Sequence, residues 1–243
     1  MDLTEKTSCG NRHPWELSRT QRILNIVKKY VIRDIADIGA GDRFFISKLS
    51  GIVTGSRYAI DTGYTERSET VDGVNCLNDI SELPEPVDAV MLMDVIEHVQ
   101  DDSAFIKEIL DKLSEEALVV VTVPAFQLLF SNHDVFLKHY RRYNKKQLLA
   151  VLRSNNLYVE RCHYFYASLF FARLISLPIT KKKPTSSQSG IGSWRFGENH
   201  ILTRAIRIIL NIDFRICAFF AKFHIYLPGL SLLALCRKRE ISP

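Results

Sequence analysis

The sequence predicts an α/β fold built on a parallel sheet with helices on both faces. Three observations carry this. Strand-like runs alternate with helix-like runs from residue 18 to residue 164, the pattern of a parallel sheet. Several strand runs end on an acid: Asp37, Asp61, Asp79 and Asp94 fall at or near successive strand ends. The first strand runs into a glycine turn and then a helix, Ile35-Ala36-Asp37-Ile38-Gly39-Ala40-Gly41-Asp42-Arg43-Phe44-Phe45. That unit aims backbone N–H groups and a positive helix end at one spot, which suits a nucleotide-like ligand at the carboxyl ends of the strands.

In order, a helix is expected over 18–30, with Ile23, Leu24, Ile26 and Val27 as its apolar face. Gly39 and Gly41 allow a tight turn and a close ligand approach. Asp42 is placed to cap the helix that follows. Strands are expected over 56–61 and 71–77, then over 87–93, where Val87-Asp88-Ala89-Val90-Met91-Leu92-Met93 runs into Asp94. A helix over 103–113 and an apolar strand over 117–124 come next. Asn144 opens a helix with Leu148, Leu149, Val151 and Leu152 on its core face, and 157–164 reads as a strand.

The glycine turn also says which nucleotide. A dinucleotide fingerprint needs a third glycine where Phe44 stands, which argues against a pyrophosphate lying on the helix. The acid about 20 residues on is kept as Asp61, so the ribose-reading feature survives. A mononucleoside with an amino-acid tail fits that pair of facts. Here the chain resembles the class I S-adenosylmethionine-dependent methyltransferases. Their first motif, D-x-G-x-G-x-G, is matched by Asp37, Gly39 and Gly41, with Arg43 in place of the last glycine. The stretch Asp94-Val95-Ile96-Glu97-His98-Val99 is a second match, and Pro124-Ala125 through Asn132-His133-Asp134 to His139 and Arg141-Arg142-Tyr143 resembles a bacterial subgroup of the family.

The resemblance implies S-adenosyl-L-methionine as cofactor, held by Asp37, Gly39, Ala40, Gly41, Asp61, Asp79, Ile80, Met93 and Asp94. Asp61 would read the ribose, and Asp79 with the Ile80 N–H would read the adenine. It also implies a Rossmann-like, doubly wound sheet of seven strands. The last of these, over 230–236, lies antiparallel between its neighbours, with a helical insert before it. The expected organisation is a core over 1–163, a helical insert over 164–229 and a final core strand with a basic tail over 230–243. Trp15, in a stretch like the aromatic start of related bacterial enzymes, reads as a packing anchor.

Methyl transfer is an in-line displacement in which the protein mainly positions the acceptor and excludes water. A base helps where the acceptor is a hydroxyl. His98 and His133 follow adjacent strand ends and are the candidate catalytic residues; His139 lies nearby. Arg141, Arg142 and Tyr143 are candidates to bind a phosphate or carboxylate of the acceptor. Asp94-x-x-Glu97-His98 resembles the E-x-x-E-H metal motif of small-RNA 2′-O-methyltransferases and of some quinone O-methyltransferases. The shorter Asp withdraws the first oxygen, and no metal is assigned from the sequence.

Composition narrows the class. The chain has 243 residues, 47% hydrophobic and 24% charged, as a globular protein should. Its five cysteines form no C-x-x-C pair, which suits a reduced compartment better than a disulfide framework or zinc finger. The start lacks the basic end and apolar stretch of a signal peptide, and no charge-free run spans a bilayer. A cytoplasmic bacterial protein, peripheral at the inner face of the membrane, is expected. The net charge of +5 hides a division: residues 1–162 carry 20 Lys+Arg against 24 Asp+Glu, and residues 163–243 carry 12 against 3. The basic end, with Lys181-Lys182-Lys183 and an apolar–basic helix over about 199–224, points to an anionic membrane surface or a lipid-phosphate acceptor; a homodimer through the insert is the other expectation.

The expected function is methyl transfer from S-adenosyl-L-methionine to a small-molecule or lipid- or sugar-linked acceptor, on oxygen. An RNA 2′-O-methyltransferase is the alternative, although no RNA-binding module is visible and nucleic acid is not an expected partner. A non-catalytic cofactor-binding protein is a further alternative, against which the intact Asp37, Gly39, Gly41 and Asp61 set argues.

Overall fold

The computed structural model describes residues 11–64, 69–84, 86–180 and 194–239. The Lys181-Lys182-Lys183 cluster lies outside them. A single sheet runs in the order β3-β4-β2-β1-β5-β6-β8-β7. Its strands are β1 (Ile35–Ile38), β2 (Arg57–Ile60), β3 (Glu69–Val71), β4 (Val74–Leu77), β5 (Val87–Met93), β6 (Leu113–Pro124), β7 (Leu157–Phe165) and β8 (Ser231–Lys238). The helices are α1 (Pro14–Val27), α2 (Phe44–Ser47), α3 (Asp102–Leu110), α4 (Asn132–Phe136), α5 (Lys145–Ser154), α6 (Ala167–Thr180) and α7 (Ile201–Ala221).

The strands β4, β2, β1, β5 and β6 pair in parallel. β8 lies antiparallel to both β6 and β7, as expected of the last strand. The sheet has eight strands among the described residues, one more than the sequence predicts. The extra one comes from 71–77, which is not one strand. Asp72 and Gly73 both take positive φ, 51° and 70°, and turn the chain into the β3–β4 hairpin. An Asp-Gly pair favours that turn because both central residues need φ > 0.

Alternation along the central strands divides the core into two layers. Val119 and Val121 of β6 face one layer with Ile106 and Ile109 of α3 and Leu148 and Leu152 of α5. Leu118 and Val120 face the other, with Ile23 and Val27 of α1 and Leu210 and Phe214 of α7. Each buried Leu, Ile or Val contributes about 1.5–3 kcal/mol by leaving water. Hence β1, β5 and β6, covered on both sides, read as almost unbroken apolar runs.

Helix ends follow local chemistry. His13 caps α1 by accepting the Trp15 N–H, and Pro14 takes the first helical position. The Asp101 carboxylate accepts the Ala104 N–H at the start of α3, and Asn144 with Gln147 forms a capping box on α5. Asp213 of α7 accepts the N–H groups of Ala167 and Ser168, so one carboxylate both starts α6 and ties it to α7.

Candidate functional site

At the carboxyl edge of β1, Gly39 has φ +68° and Gly41 φ +54°. A Cβ on Gly39 would stand 2.7 Å from Cγ2 of Val95, so the turn and the residue after Asp94 are packed without spare room. Arg43, in the place of the motif's last glycine, also takes a left-handed φ of 66° and precedes α2 without a side-chain cap of its own. Asp42 accepts the Phe44 N–H at 3.3 Å and does part of that capping. Asp61, just beyond β2, is pinned by two backbone donors: the Gly41 N–H to Oδ2 at 2.8 Å and the Gly63 N–H to Oδ1 at 2.9 Å. The carboxylate therefore braces the glycine turn while keeping lone pairs for further donors.

Beside this turn lies a narrow cleft, with Asp37, Gly39, Ala40 and Met93 on the sheet side and Glu16 and Arg19 on the α1 side. Burial pushes the Asp37 carboxyl up to about 7, because little solvent reaches it to stabilise the charge. The α1 wall is charged. Arg12 pairs with Glu16 and Asp42, and Arg19 pairs with Asp94 while lying over the Trp15 ring, its carbon 4.3 Å from the centroid. Asp94 itself has φ +58° and accepts the Thr122 hydroxyl at 3.2 Å. Asp79 is exposed, caps the short turn Ile80–Glu82 by accepting the Ser81 N–H at 2.7 Å, and leaves Ile80 buried beneath it.

The candidate cofactor set is thus distributed unevenly. Asp37, Gly39, Ala40 and Met93 line the cleft itself. Asp61 touches the turn through Gly41, and Asp94 touches the cleft wall through Arg19. Asp79 and Ile80 stand at the end of the neighbouring strand β4. Glu16, Arg19 and Thr20 were not expected in the site, since the sequence directs attention to the apolar half of α1. The signal was present as Arg12, Glu16 and Arg19, charges at helical spacing in a segment whose apolar residues cluster at its far end.

The candidate histidines follow the ends of β5 and β6. His98 lies in the short helical turn Ile96–His98, and the ring against it is His139, with centroids 4.5 Å apart. His133, on α4, is half-buried, and burial lowers its pKa. Asp134 is fully buried and lies against His139 Nδ1 at 3.1 Å and Arg142 Nε at 2.6 Å. Those bonds hold its carboxyl well below the usual range, against the opposing effect of burial. Arg142 is therefore consumed within the fold. Arg141 bonds Asp102 at 2.9 Å, and the Tyr143 hydroxyl donates to the same Asp102 at 2.6 Å. The expectation that these three bind an anion of the acceptor is corrected: carboxylates of the chain already occupy them.

No protein-family model and no curated protein sequence matches the chain. Solved structures do match in fold. The N-methyltransferase NodS of Bradyrhizobium japonicum, in complex with S-adenosyl-L-homocysteine, is 12% identical with a TM-score of 0.54, over 94% of this chain and 89% of that one. A mycolic acid cyclopropane synthase complexed with S-adenosylhomocysteine is 12% identical with a TM-score of 0.55, over 91% of this chain and 84% of that one. A [4+2]-cyclase, SpnF, is 17% identical with a TM-score of 0.52, over 90% of this chain and 80% of that one. The fold is therefore the Rossmann-like fold of class I S-adenosylmethionine-dependent methyltransferases. A shared fold does not by itself fix the reaction, so the activity rests on the site.

Proposed function

We propose that the chain is an S-adenosylmethionine-dependent methyltransferase acting on a hydroxyl of a small or lipid-linked acceptor. The observation that carries the cofactor is the brace of Asp61 on Gly41 beside the cleft. It holds a carboxylate, with lone pairs to spare, next to the glycine turn that borders the cleft. Unpartnered buried atoms in the cleft wall, Glu16 Oε2 and Arg19 Nε, fit a ligand that carries both an amine and a carboxylate.

The bound cofactor supplies a methyl group on a sulfonium, a carbon already activated for displacement. In this reading Asp61 accepts from the ribose hydroxyls, Asp79 and the Ile80 N–H meet the adenine edge, and Asp37 faces the ammonium. The Arg19–Asp94 pair closes the wall and keeps water out. His98, after β5, and His133, after β6, are the candidate proton acceptors. His133, kept neutral by burial, has a free base form at neutral pH.

The lipid-linked acceptor is supported by α7. Its inner face is Thr203, Leu210, Phe214 and Cys217, while Ile201, Ile208, Ile212, Ile216 and Phe219 form an exposed outer row. Arg204 and Arg215 are exposed on the same helix, and Lys222 is exposed just after its end. An apolar row flanked by cations suits the surface of an anionic bilayer, where each cation contributes about 1 kcal/mol. No helix among the described residues is long and apolar enough to cross a membrane, so contact is at the surface.

Labelled S-adenosylmethionine incubated with the protein and a bacterial lipid extract tests the function. The expected product is a labelled, base-stable lipid species, with turnover lowered in His98→Ala or His133→Ala while cofactor affinity is kept. Label confined to aqueous small molecules would discard the lipid-linked acceptor. Flotation with vesicles containing phosphatidylglycerol tests the surface separately: binding should require the anionic lipid, fall with salt, and be lost in Ile212→Asp.

A further inference from the structure

In the sequence, Asp94 stands with Glu97 and His98 in a D-x-x-E-H pattern. The structure separates Asp94 from that group, since its carboxylate pairs with Arg19 and accepts from Thr122. His139, from the segment after α4, takes the vacated place: one ligand atom each from Glu97, His98 and His139 lies within 4.8 Å of the others. We propose that Glu97, His98 and His139 form a binding site for a divalent transition cation of the zinc type, with Asp134 as the group that orients His139.

Glu97 is fully buried, and neither carboxylate oxygen has a hydrogen-bond partner. A carboxylate taken out of water with no donor on either oxygen is costly, and burial of that kind is compensated by a cation or a donor. The atoms facing it at this spot are imidazole nitrogens, which share a cation with a carboxylate. Two imidazoles and one carboxylate form a set preferred by zinc, iron or cobalt over magnesium or calcium, which favour all-oxygen shells.

The surroundings prepare the ligands. Asp134 Oδ1 stands 3.1 Å from His139 Nδ1. Donation of that N–H to the carboxylate leaves Nε2 with the lone pair, the arrangement by which outer carboxylates fix metal-binding histidines. Asp134 is in turn held by Arg142 and by the Ser131 N–H at 2.9 Å. The Tyr140 N–H donates to the Glu97 carbonyl at 2.8 Å, so the backbone segments that carry His139 and Glu97 are tied together. Ligands about 2.1 Å from a tetrahedral ion lie about 3.4 Å apart. Small side-chain rotations of the two histidines close the remaining gap. Three protein ligands leave one position open, as a catalytic rather than a structural site does. A role for that position at an acceptor hydroxyl rests on the methyl-transfer reading; the site itself does not.

The test uses the full chain, stripped with chelator, and cobalt(II) as a spectroscopic probe. Titration should give visible d–d bands saturating at a single ion, and zinc should displace the cobalt. Glu97→Gln and His139→Ala should each weaken cobalt binding at least about ten-fold, and Asp134→Asn by about 10–100-fold, the usual effect of an outer-shell partner. Circular dichroism on each variant shows that it is folded. If Glu97→Gln does not fold, His139→Ala carries the test alone. No cobalt or zinc bound by the stripped wild type at millimolar metal, or wild-type affinity in folded His139→Ala, overturns the site. Either result leaves the binding of S-adenosylhomocysteine, measured on the same stripped protein, as an independent check of the proposed function.

Discussion

Replacing Gly39 with alanine should destabilise the protein through two separable effects. The first is backbone strain: at φ +68° an alanine costs about 1–2 kcal/mol that glycine does not. The second is a collision, since the added Cβ would lie 2.7 Å from Val95 Cγ2. Val95 is β-branched and stiff at χ1, so relief needs backbone movement, and such overpacking costs about 1–3 kcal/mol. The expected total is about 2–5 kcal/mol. Trimming the neighbour separates the two. In Val95→Ala the collision partner is gone, so Gly39→Ala placed on that background should cost only the strain, about 1–2 kcal/mol. Urea unfolding of the wild type, both single variants and the double variant gives a coupling energy of about 1–3 kcal/mol in the rescuing direction. A Gly39→Ala variant within about 0.5 kcal/mol of wild type, or strictly additive losses, would refute the packed turn.

Two further outcomes are expected. Arg142→Met removes the guanidinium from fully buried Asp134 and should cost about 3–5 kcal/mol, read from urea unfolding at pH 7; a loss under about 1 kcal/mol would show that His139 and Ser131 suffice. His163 on β7 is buried against Phe214, and desolvation, helped by Arg161 and Lys145, lowers its pKa to about 4. Below the ordinary value of 6.5 the unfolded chain takes up a proton that the native state refuses, so stability falls as pH drops from about 6.5 to about 4. Relative to wild type, His163→Leu should therefore gain about 2 kcal/mol between pH 8 and pH 5 in denaturant melts, and an unchanged difference would remove His163 as the cause.

Much of the fold was legible because its determinants are local. β5 occupies Val87–Met93, where an apolar run ends on an acid. Asn144 caps α5 as its sequence context implies. Elsewhere non-local burial decided. α1 begins at Pro14 rather than residue 18, because Glu16, Ser18, Arg19 and Arg22 are covered by the cleft wall and α7 and thus lack the half-polar pattern of a surface helix. β6 extends back to Leu113 through polar Ser114-Glu115-Glu116 because Leu113 pairs with Val87 across a bulge. The β3–β4 hairpin was readable from Asp72-Gly73, and the apolar residues on either side concealed it. In the site, residues of the glycine turn were legible as a motif, whereas Arg19 on Asp94 and His139 on His98 join residues 75 and 41 positions apart. Periodicity carries no information about such contacts.

Calorimetric titration with S-adenosyl-L-homocysteine tests the cofactor site most directly. The wild type should bind it with the turn intact. Asp61→Ala removes both the brace on Gly41 and the acceptor for the ribose, and should weaken binding by about 1.5–3 kcal/mol, or roughly 10–150-fold. Asp88→Ala serves as the control: Asp88 accepts from the Arg33 and Asp34 N–H groups at the opposite end of the sheet, and its loss should leave affinity unchanged. Absence of binding by the folded wild type, or equal affinity in wild type and Asp61→Ala, would contradict the cofactor site described here.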